Sequence, residues 1–208
     1  LVINFFHQKS IDTTAYEIFY NTGPLAILPM KQNNNLYQSS IIWSNKNNFI
    51  KKLFDCDNNF ISNIIEEKVG GIIGKILNIN SKQIFPLSAH LNDSFVNNRL
   101  IYLGDSAHSI HPIAGQGWNL GIKDVKNLNY MLKQYEASRE KVGDKNFCNT
   151  YNDLSYKNAF QLFQITDKLN LHFKETNPLY RLFSNSGFKI IQKTPALKNS
   201  ITKFAMGL

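Results

Sequence analysis

The stretch that decides the fold contains two short segments, Gly-Asp-Ser-Ala-His at residues 104–108 and Gly-Gln-Gly-Trp-Asn-Leu-Gly at residues 115–121. An apolar run at residues 100–103 stops at Gly104, which predicts a buried strand that ends in a tight turn. Apolar residues then recur at helical spacing, at Leu120, Val125, Leu128, Met131 and Leu132. The predicted order is strand, acidic turn, glycine-rich loop and helix, which suits a ligand lying across the helix N-terminus.

The residue types in this stretch indicate what kind of ligand would fit. Gly104 lets the backbone approach a ligand, and Asp105 adds an acceptor suited to a hydroxyl group rather than to a phosphate, which it would repel. Pro112 stiffens the loop, and Gly115 and Gly117 leave room for a flat ring against the main chain. An ordinary glycine-rich connection with a helix-capping aspartate would show the same spacing, because short glycine motifs are weak evidence by themselves.

The two segments, with Pro112 between them and Asp124 after them, resemble the second FAD-binding motif of class A flavoprotein monooxygenases. They are most similar to that motif in the ubiquinone-biosynthesis hydroxylases (UbiH-like), although Ser106 stands where that family usually has alanine. In the family the aspartate binds the ribityl chain of FAD, and the glycine-rich loop with its helix lies against the isoalloxazine ring. The resemblance therefore implies these cofactor-binding residues: Gly104, Asp105, Pro112, Gly115, Gln116, Gly117, Trp118 and Asn119. It assigns no catalytic residue.

The resemblance extends over nearly all of this chain, but over only about the C-terminal half of a family member. Residues 23–30 resemble a substrate-domain strand whose sheet, in the family, covers the flavin and forms the far wall of the substrate pocket. The family commonly has arginine and aspartate where Ser155 and Asn158 stand. The Gly-x-Gly-x-x-Gly unit that holds the pyrophosphate in the family does not occur before Gly70.

The predicted fold class is α/β (α+β), with a partial FAD-binding Rossmann-like unit, an antiparallel substrate-domain sheet and C-terminal helices. Three regions are expected: a substrate-domain sheet with helices at residues 1–97, the strand-loop-helix FAD-binding segment at 98–145, and a helical region at 146–208. Strands are expected within residues 1–45 and at 84–89. Helices are expected at 49–54, at 60–69 with an end at Gly70-Gly71, at about 147–173, and from Asn177-Pro178 and Pro195.

Composition narrows the function classes. The chain has 208 residues, of which 43% are hydrophobic, enough for one domain or two small ones. Cys56 and Cys148 have neither metal-ligand nor disulfide-framework spacing, so no metal site is predicted and a reducing compartment is the simpler interpretation. The net charge of +8 comes from scattered lysines, which indicates solvated faces rather than nucleic-acid binding.

Two function hypotheses remain open. The resemblance implies the C-terminal part of an FAD- and NAD(P)H-dependent aromatic-ring hydroxylase that acts on a polyprenylated phenol in ubiquinone biosynthesis. Its partners would be the N-terminal half on another chain or other ubiquinone-pathway proteins, in the cytoplasm with or without peripheral contact at the inner membrane. The alternative is a non-catalytic remnant or interaction subunit that kept the fold. His108 and His111 flank the loop as structural residues or as proton carriers.

Overall fold

The computed structural model describes residues 1–33, 36–175, 177, 186–187 and 189–205. The chain divides into two compact units, Leu1–Pro86 and Leu87–Leu208. Helices and strands occur in both units, which confirms the mixed α/β (α+β) class. The finer division at residues 1–97, 98–145 and 146–208 stays a prediction.

The first unit is built on a five-stranded antiparallel sheet in the order β2-β3-β4-β1-β5. Its strands are β1 (Val2–His7), β2 (Tyr16–Tyr20), β3 (Gly23–Asn33), β4 (Leu36–Trp43) and β5 (Ile76–Gln83). Burial alternates along β1, where Ile3 and Phe5 are fully buried and their neighbours are half-buried. This period of two confirms the antiparallel sheet expected within residues 1–45.

Two helices supply the other half of the core of this unit. They are α1 (Asn47–Phe54) and α2 (Asn58–Ile73), and Asp57 caps α2 by accepting a hydrogen bond from the Phe60 backbone N–H. Ile50, Leu53, Ile61 and Ile65 join the inward sheet residues in one apolar cluster. Burial of each such side chain contributes about 1.5–3 kcal/mol, so one face of the sheet is held against the helices.

Two predictions for this unit are wrong. Helix α2 continues through Gly70-Gly71, because Val69 and Ile73 are buried and hold its last turn. The helix is capped at Gly74, whose φ of +72° is left-handed. Residues 84–89 form no strand; the strand just before them is β5, which ends at Gln83 and pairs with β1 on the side opposite β4. β5 lies at the edge of the sheet and is rich in polar residues, so its sequence lacks the apolar signal of a strand.

The second unit combines two small antiparallel ladders with long helices. β6 (His90–Leu91) pairs with β9 (His108–Ser109), and β7 (Val96–Asn97) pairs with β8 (Leu100–Ile101). The strand expected at residues 100–103 is therefore only two residues long. Leu100 is 54% exposed, which contradicts the expected buried strand. Among the described residues β8 pairs with β7 alone, so only one edge of this strand is covered.

Three helices of this unit have described bounds at both ends: α3 (Gln116–Ser138), α4 (Lys145–Lys174) and α5 (Pro195–Ala205). The predicted starts of α3 after the glycine-rich loop and of α5 at Pro195 are confirmed. The prediction of α4 is confirmed as well, and Asp144 caps the start of this helix by accepting a hydrogen bond from the Phe147 backbone N–H. The expected apolar face of α3 is wrong at Val125, which is 55% exposed. The helix predicted from Asn177-Pro178 lies outside the described residues. Within the described residues, no helix is long and apolar enough to cross a membrane.

His7 links three elements of the first unit. Its Nδ1 lies 3.2 Å from the Ile73 carbonyl oxygen and its Nε2 lies 2.8 Å from the Ser39 hydroxyl. A carbonyl only accepts, so Nδ1 donates and Nε2 accepts from Ser39. Burial lowers the pKa of His7 below its ordinary value of 6.5, although hydrogen bonds to the backbone of Ile73 and Lys9 oppose this.

We expect the free energy of unfolding to fall as the pH is lowered below about 6.5. The unfolded state then takes up a proton that folded His7 refuses, and the contribution is constant above that pH. Urea denaturation at pH 7.5 and 5.5 measures the difference, which His7→Gln should reduce. His90→Gln, at an exposed histidine, is the control. An unchanged pH dependence in His7→Gln would contradict the prediction.

Candidate functional site

The first part of the candidate site is a tight turn at residues 104–106. Gly104 has a φ of +55°, in the left-handed region that favours glycine. The Leu103 N–H donates to the Ser106 Oγ at 3.0 Å, and the Ser106 hydroxyl donates to the Leu103 carbonyl at 2.8 Å. Serine at position 106 thus closes the turn on itself, and the hydroxyl that alanine would lack has a structural use here.

A buried carboxylate joins this turn to the helix that follows. Asp124 is 1% exposed, and its Oδ2 accepts a hydrogen bond from the Gly104 backbone N–H at 3.0 Å. The same oxygen lies 2.7 Å from Nε2 of His108, which is also 1% exposed and packs beside the Phe95 ring. Since a carboxylate accepts, Nε2 carries the proton. One side chain of α3 therefore positions both the turn and β9.

The sequence analysis did not assign this role to Asp124. The signal that could have found it is the position of an acidic residue on the buried face of α3, four residues after Leu120. A buried charge needs partners, so an aspartate in an apolar stripe predicts a hydrogen-bonded site. His108, whose role the sequence left open, has a structural contact in this pair.

The glycines of the site differ in what requires them. Gly115 occupies the N-cap position directly before α3 and has a φ of +61°. As a glycine it supplies no side-chain cap to this helix. A Cβ on Gly121 would lie 3.5 Å from the Gly104 Cα, so the turn and α3 approach backbone to backbone. Gly117 is different, because it is helical and a Cβ there would lie 3.9 Å from Ile110 Cγ1, an ordinary contact. The described fold alone does not require glycine at 117.

The remaining predicted residues surround the same helix start. Pro112 directly precedes a second short turn, Ile113–Gly115, and its carbonyl accepts from the Gly115 N–H at 3.1 Å. Trp118 is 78% exposed. Asn119 Nδ2 lies 3.4 Å from Gln116 Oε1, so these two side chains meet on the first turn of α3.

Asp105 lies on the short turn at residues 104–106, which packs against Gly121 and Asp124 of α3. Its carboxylate is exposed and makes no hydrogen bond or ion pair within the described part of the chain, whereas its carbonyl lies 3.1 Å from His90 Nε2. Because Asp124 ties the turn to α3, the structure brings Gly104 and Asp105 to the same helix as residues 115–119. The site therefore offers a free carboxylate acceptor on a turn that packs against α3, and Gly115 supplies no side-chain cap to that helix.

A small groove extends the site along the first turns of α3. It measures about 80 Å³ and lies between α3 and α4. Its lining consists of Gln116, Asn119, Leu120, Lys123, Asn158, Gln161 and Leu162. The sequence analysis missed the contribution of α4, because no local pattern places residue 158 beside residue 119.

His111 has contacts within the fold as well. Its Nε2 lies 3.2 Å from Asn170 Nδ2 and 3.8 Å from Asp167 Oδ1. Burial lowers the pKa of His111 below its ordinary value, with Asp167 opposing this shift and Lys174 adding to it. The neutral ring therefore accepts from the Asn170 amide, which favours the structural interpretation of this histidine. Within the described residues, no group of three or more His, Cys, Asp or Glu could hold a metal ion.

The arrangement fits the parts of FAD that the motif residues were predicted to contact. Asp105 supplies an acceptor with no protein partner, as a ribityl hydroxyl requires. The uncapped N-terminus of α3 favours a partly anionic ring edge, and Gly117 removes the side chain that would keep a flat ring from the helix backbone.

Comparison with known proteins identifies relatives. Residues 5–153 match a family model described as an FAD binding domain. The ubiquinone hydroxylase UbiL of Rhodospirillum rubrum is 27% identical over 100% of this chain and 47% of its own length. The ubiquinone biosynthesis monooxygenase COQ6 of Dictyostelium discoideum is 24% identical over 93% of this chain and 44% of its own length. The chain spans about half the length of the curated relatives it matches.

Solved structures share the fold at lower identity. The p-nitrophenol 4-monooxygenase PnpA from Pseudomonas putida DLL-E4 has a TM-score of 0.68 at 16% identity, covering 96% of this chain and 50% of that one. PqsL of P. aeruginosa in complex with 2-aminobenzoylacetate has a TM-score of 0.65 at 15% identity, covering 88% and 50%. Both likenesses concern the fold.

We expect Asp124→Ala to lower the free energy of unfolding by about 3 kcal/mol, because it leaves the Gly104 N–H and the His108 ring buried without their acceptor. Asp105→Ala is the matched control, since its carboxylate is exposed, and should change stability by less than about 0.5 kcal/mol. Urea denaturation followed by circular dichroism compares the two. A loss for Asp105→Ala as large as that for Asp124→Ala would show that Asp105 also stabilises the turn, and a loss below about 0.5 kcal/mol for Asp124→Ala would show that its hydrogen bonds do not stabilise the fold.

Proposed function

Because this chain belongs to the FAD binding domain family, we propose that it forms the part of an FAD-dependent aromatic-ring monooxygenase that holds the ribityl chain and ring of FAD. The family resemblance stated from the two motif segments is confirmed by this match and by the ubiquinone hydroxylase relatives. The observation that carries the proposal is the free Asp105 carboxylate on the turn that Asp124 fixes to α3, a helix to which Gly115 supplies no side-chain cap.

The residues of this chain would bind and orient the cofactor. Asp105 would accept from a ribityl hydroxyl, and the first turn of α3 would lie along the ring with Gly117 at the point of closest approach. The positive end of the helix dipole would stabilise negative charge on the facing ring edge. When bound, FAD supplies the electron transfer from NAD(P)H and the activation of oxygen.

The proposed substrate is a polyprenylated phenol of ubiquinone biosynthesis. Support comes from the relatives, which include the ubiquinone hydroxylase UbiM of Neisseria meningitidis at 26% identity. A second support is the sheet face of the first unit opposite its helices, where Val2, Phe6, Ala26 and Leu28 are only half-buried. Such a face offers apolar surface to an apolar ligand.

Contacts to the pyrophosphate and adenosine of FAD would come from the other half of the length that the relatives have. We propose that this half, in the same protein or on another chain, completes the site. The alternative is a non-catalytic remnant. It is supported by Ser155 and Asn158, which stand where the family commonly has arginine and aspartate. Ser155 is buried and accepts from Asn127 Nδ2 at 3.1 Å, so this position now serves the α3–α4 packing.

We expect the 208-residue chain to bind FAD with a dissociation constant above about 1 μM. Each missing charge-assisted hydrogen bond to the pyrophosphate would be worth about 1.5–3 kcal/mol. Riboflavin should bind within about threefold of FAD, because the expected contacts reach only the ring and ribityl chain. Flavin fluorescence titration measures both affinities.

Two results would contradict this expectation. Sub-micromolar FAD binding with much weaker riboflavin binding would place a pyrophosphate site within this chain. No binding of either flavin at millimolar concentration would favour the non-catalytic alternative. Asp105→Ala should weaken the binding of FAD and of riboflavin by a similar factor, since the Asp105 carboxylate is assigned to the ribityl chain that both flavins share.

We expect Gly117→Ala to weaken flavin binding at least about tenfold while stabilising the flavin-free chain by up to about 1 kcal/mol. The stabilisation follows from helix propensity, because the added methyl group meets only Ile110 at an ordinary distance. Gly71→Ala is the matched control, since Gly71 is helical in α2 and a Cβ there meets nothing within 4 Å. Melting temperatures with and without flavin test both variants.

The opposite signs make this test decisive. A Gly117→Ala variant that melts higher and still binds flavin like its parent would remove the start of α3 from the site. Gly71→Ala should raise the melting temperature without any change in flavin affinity.

A further inference from the structure

In the last described helix, α5, no residue from 195 to 203 is buried. From Pro195 to Lys203 every side chain is exposed, including Leu197 at 41% and Ile201 at 44%. These two residues are four positions apart, so they lie one above the other on the same face of the helix. Ile190, in the preceding helical residues 189–193, is 61% exposed. An apolar stripe that no described part of the chain covers therefore runs along α5.

The charges of this segment all have one sign. Residues 186–205 contain four lysines and no acidic residue, namely Lys189, Lys193, Lys198 and Lys203. At 100° per residue, Lys198 lies about 80° to one side of the centre of the stripe of Leu197 and Ile201, Lys203 lies about 140° to the other side, on the polar face, and Asn199 lies opposite the stripe. Lysines that flank an apolar stripe are typical of helices that lie in the plane of a membrane interface.

We propose that α5 docks on an anionic lipid surface, with Leu197 and Ile201 in the headgroup–acyl boundary and Lys198 and Lys203 on the lipid phosphates. Charge complementarity favours this occupant, because anionic headgroups attract all four lysines. A second copy of the same helix would bring like charges together. Nucleic acid would use the lysines but would leave the apolar stripe in water. This inference goes beyond the proposed function and does not depend on flavin binding.

The test is co-sedimentation of the 208-residue chain with vesicles. Phosphatidylcholine vesicles that contain about 30 mol % phosphatidylglycerol are compared with pure phosphatidylcholine vesicles. We expect at least about tenfold stronger partition to the anionic vesicles, weakened by added salt. Leu197→Ser/Ile201→Ser and Lys198→Gln/Lys203→Gln should each reduce this partition by about tenfold or more.

Matched controls separate the helix from the overall charge of +8. Asn199→Ser changes the far face of α5, and Lys51→Gln/Lys52→Gln removes two exposed lysines from α1. Neither should change partition by more than about twofold. Because every substituted residue is exposed, all variants should keep the parent melting temperature, so a lost interaction does not reflect unfolding.

Each other outcome overturns the proposal. Equal partition of the parent to both vesicles, or unchanged partition of the α5 variants, would exclude a lipid site on α5. An equal effect of the α1 and α5 lysine pairs would assign the interaction to net charge alone. A dimer in size-exclusion chromatography that Leu197→Ser/Ile201→Ser dissociates would make the stripe a self-association surface. Binding to a random DNA duplex that depends on Lys198 and Lys203 but not on Leu197 would identify nucleic acid instead.

Discussion

The hydrogen bonds of one buried carboxylate hold the candidate site together. Asp124 accepts from the Gly104 backbone N–H and contacts the His108 ring, and both Asp124 and His108 are nearly inaccessible to solvent. A carboxylate in this position would be costly without partners, and each hydrogen bond to it contributes about 1.5–3 kcal/mol. The turn at residues 104–106 and the start of α3 are therefore fixed relative to each other, which keeps Asp105 exposed beside the helix.

The glycines show how the site differs from the rest of the fold. The backbone conformation requires glycine at positions 104 and 115, because Gly104 and Gly115 both have positive φ values that other residues rarely adopt. Gly117 satisfies no such requirement and costs the helix about 1 kcal/mol relative to alanine. A residue that weakens the fold without a described structural reason is expected at a binding site. Gly117 is such a residue, and it lies next to the exposed Trp118.

The two units expose apolar surface in different ways. In the first unit, one face of the sheet is buried by α1 and α2, and the opposite face is half-buried and partly apolar. In the second unit, the exposed apolar residues include a tryptophan at the start of α3 and the stripe on α5. Isolated exposed apolar side chains are normal, so position decides their meaning. Trp118 lies between Gly117 and Asn119 at the start of α3, and the α5 stripe lies near lysines with no acidic residue among them.

Local patterns in the sequence determined most of the elements and the residues of the site. Alternation predicted the strands of the first unit, Asp144 and Pro195 marked helix starts, and the glycine-rich segments predicted a turn, a loop and a helix with Asp105 and Gly117 at the ligand. These features depend on neighbouring residues, so periodicity, capping and glycine placement reveal them. Their assignment to FAD came from the resemblance to the second FAD-binding motif of flavoprotein monooxygenases, which the family match supports.

Only the tertiary structure decided the features that join distant residues. β5 is a strand because β1 offers it an edge, and α2 passes through Gly70-Gly71 because Ile73 is buried in the core. The contact of Asp124 with Gly104 and His108, and the groove between α3 and α4, require the chain to return on itself. Such contacts carry free energy that no local window of sequence contains, because burial and long-range hydrogen bonding are properties of the packed chain.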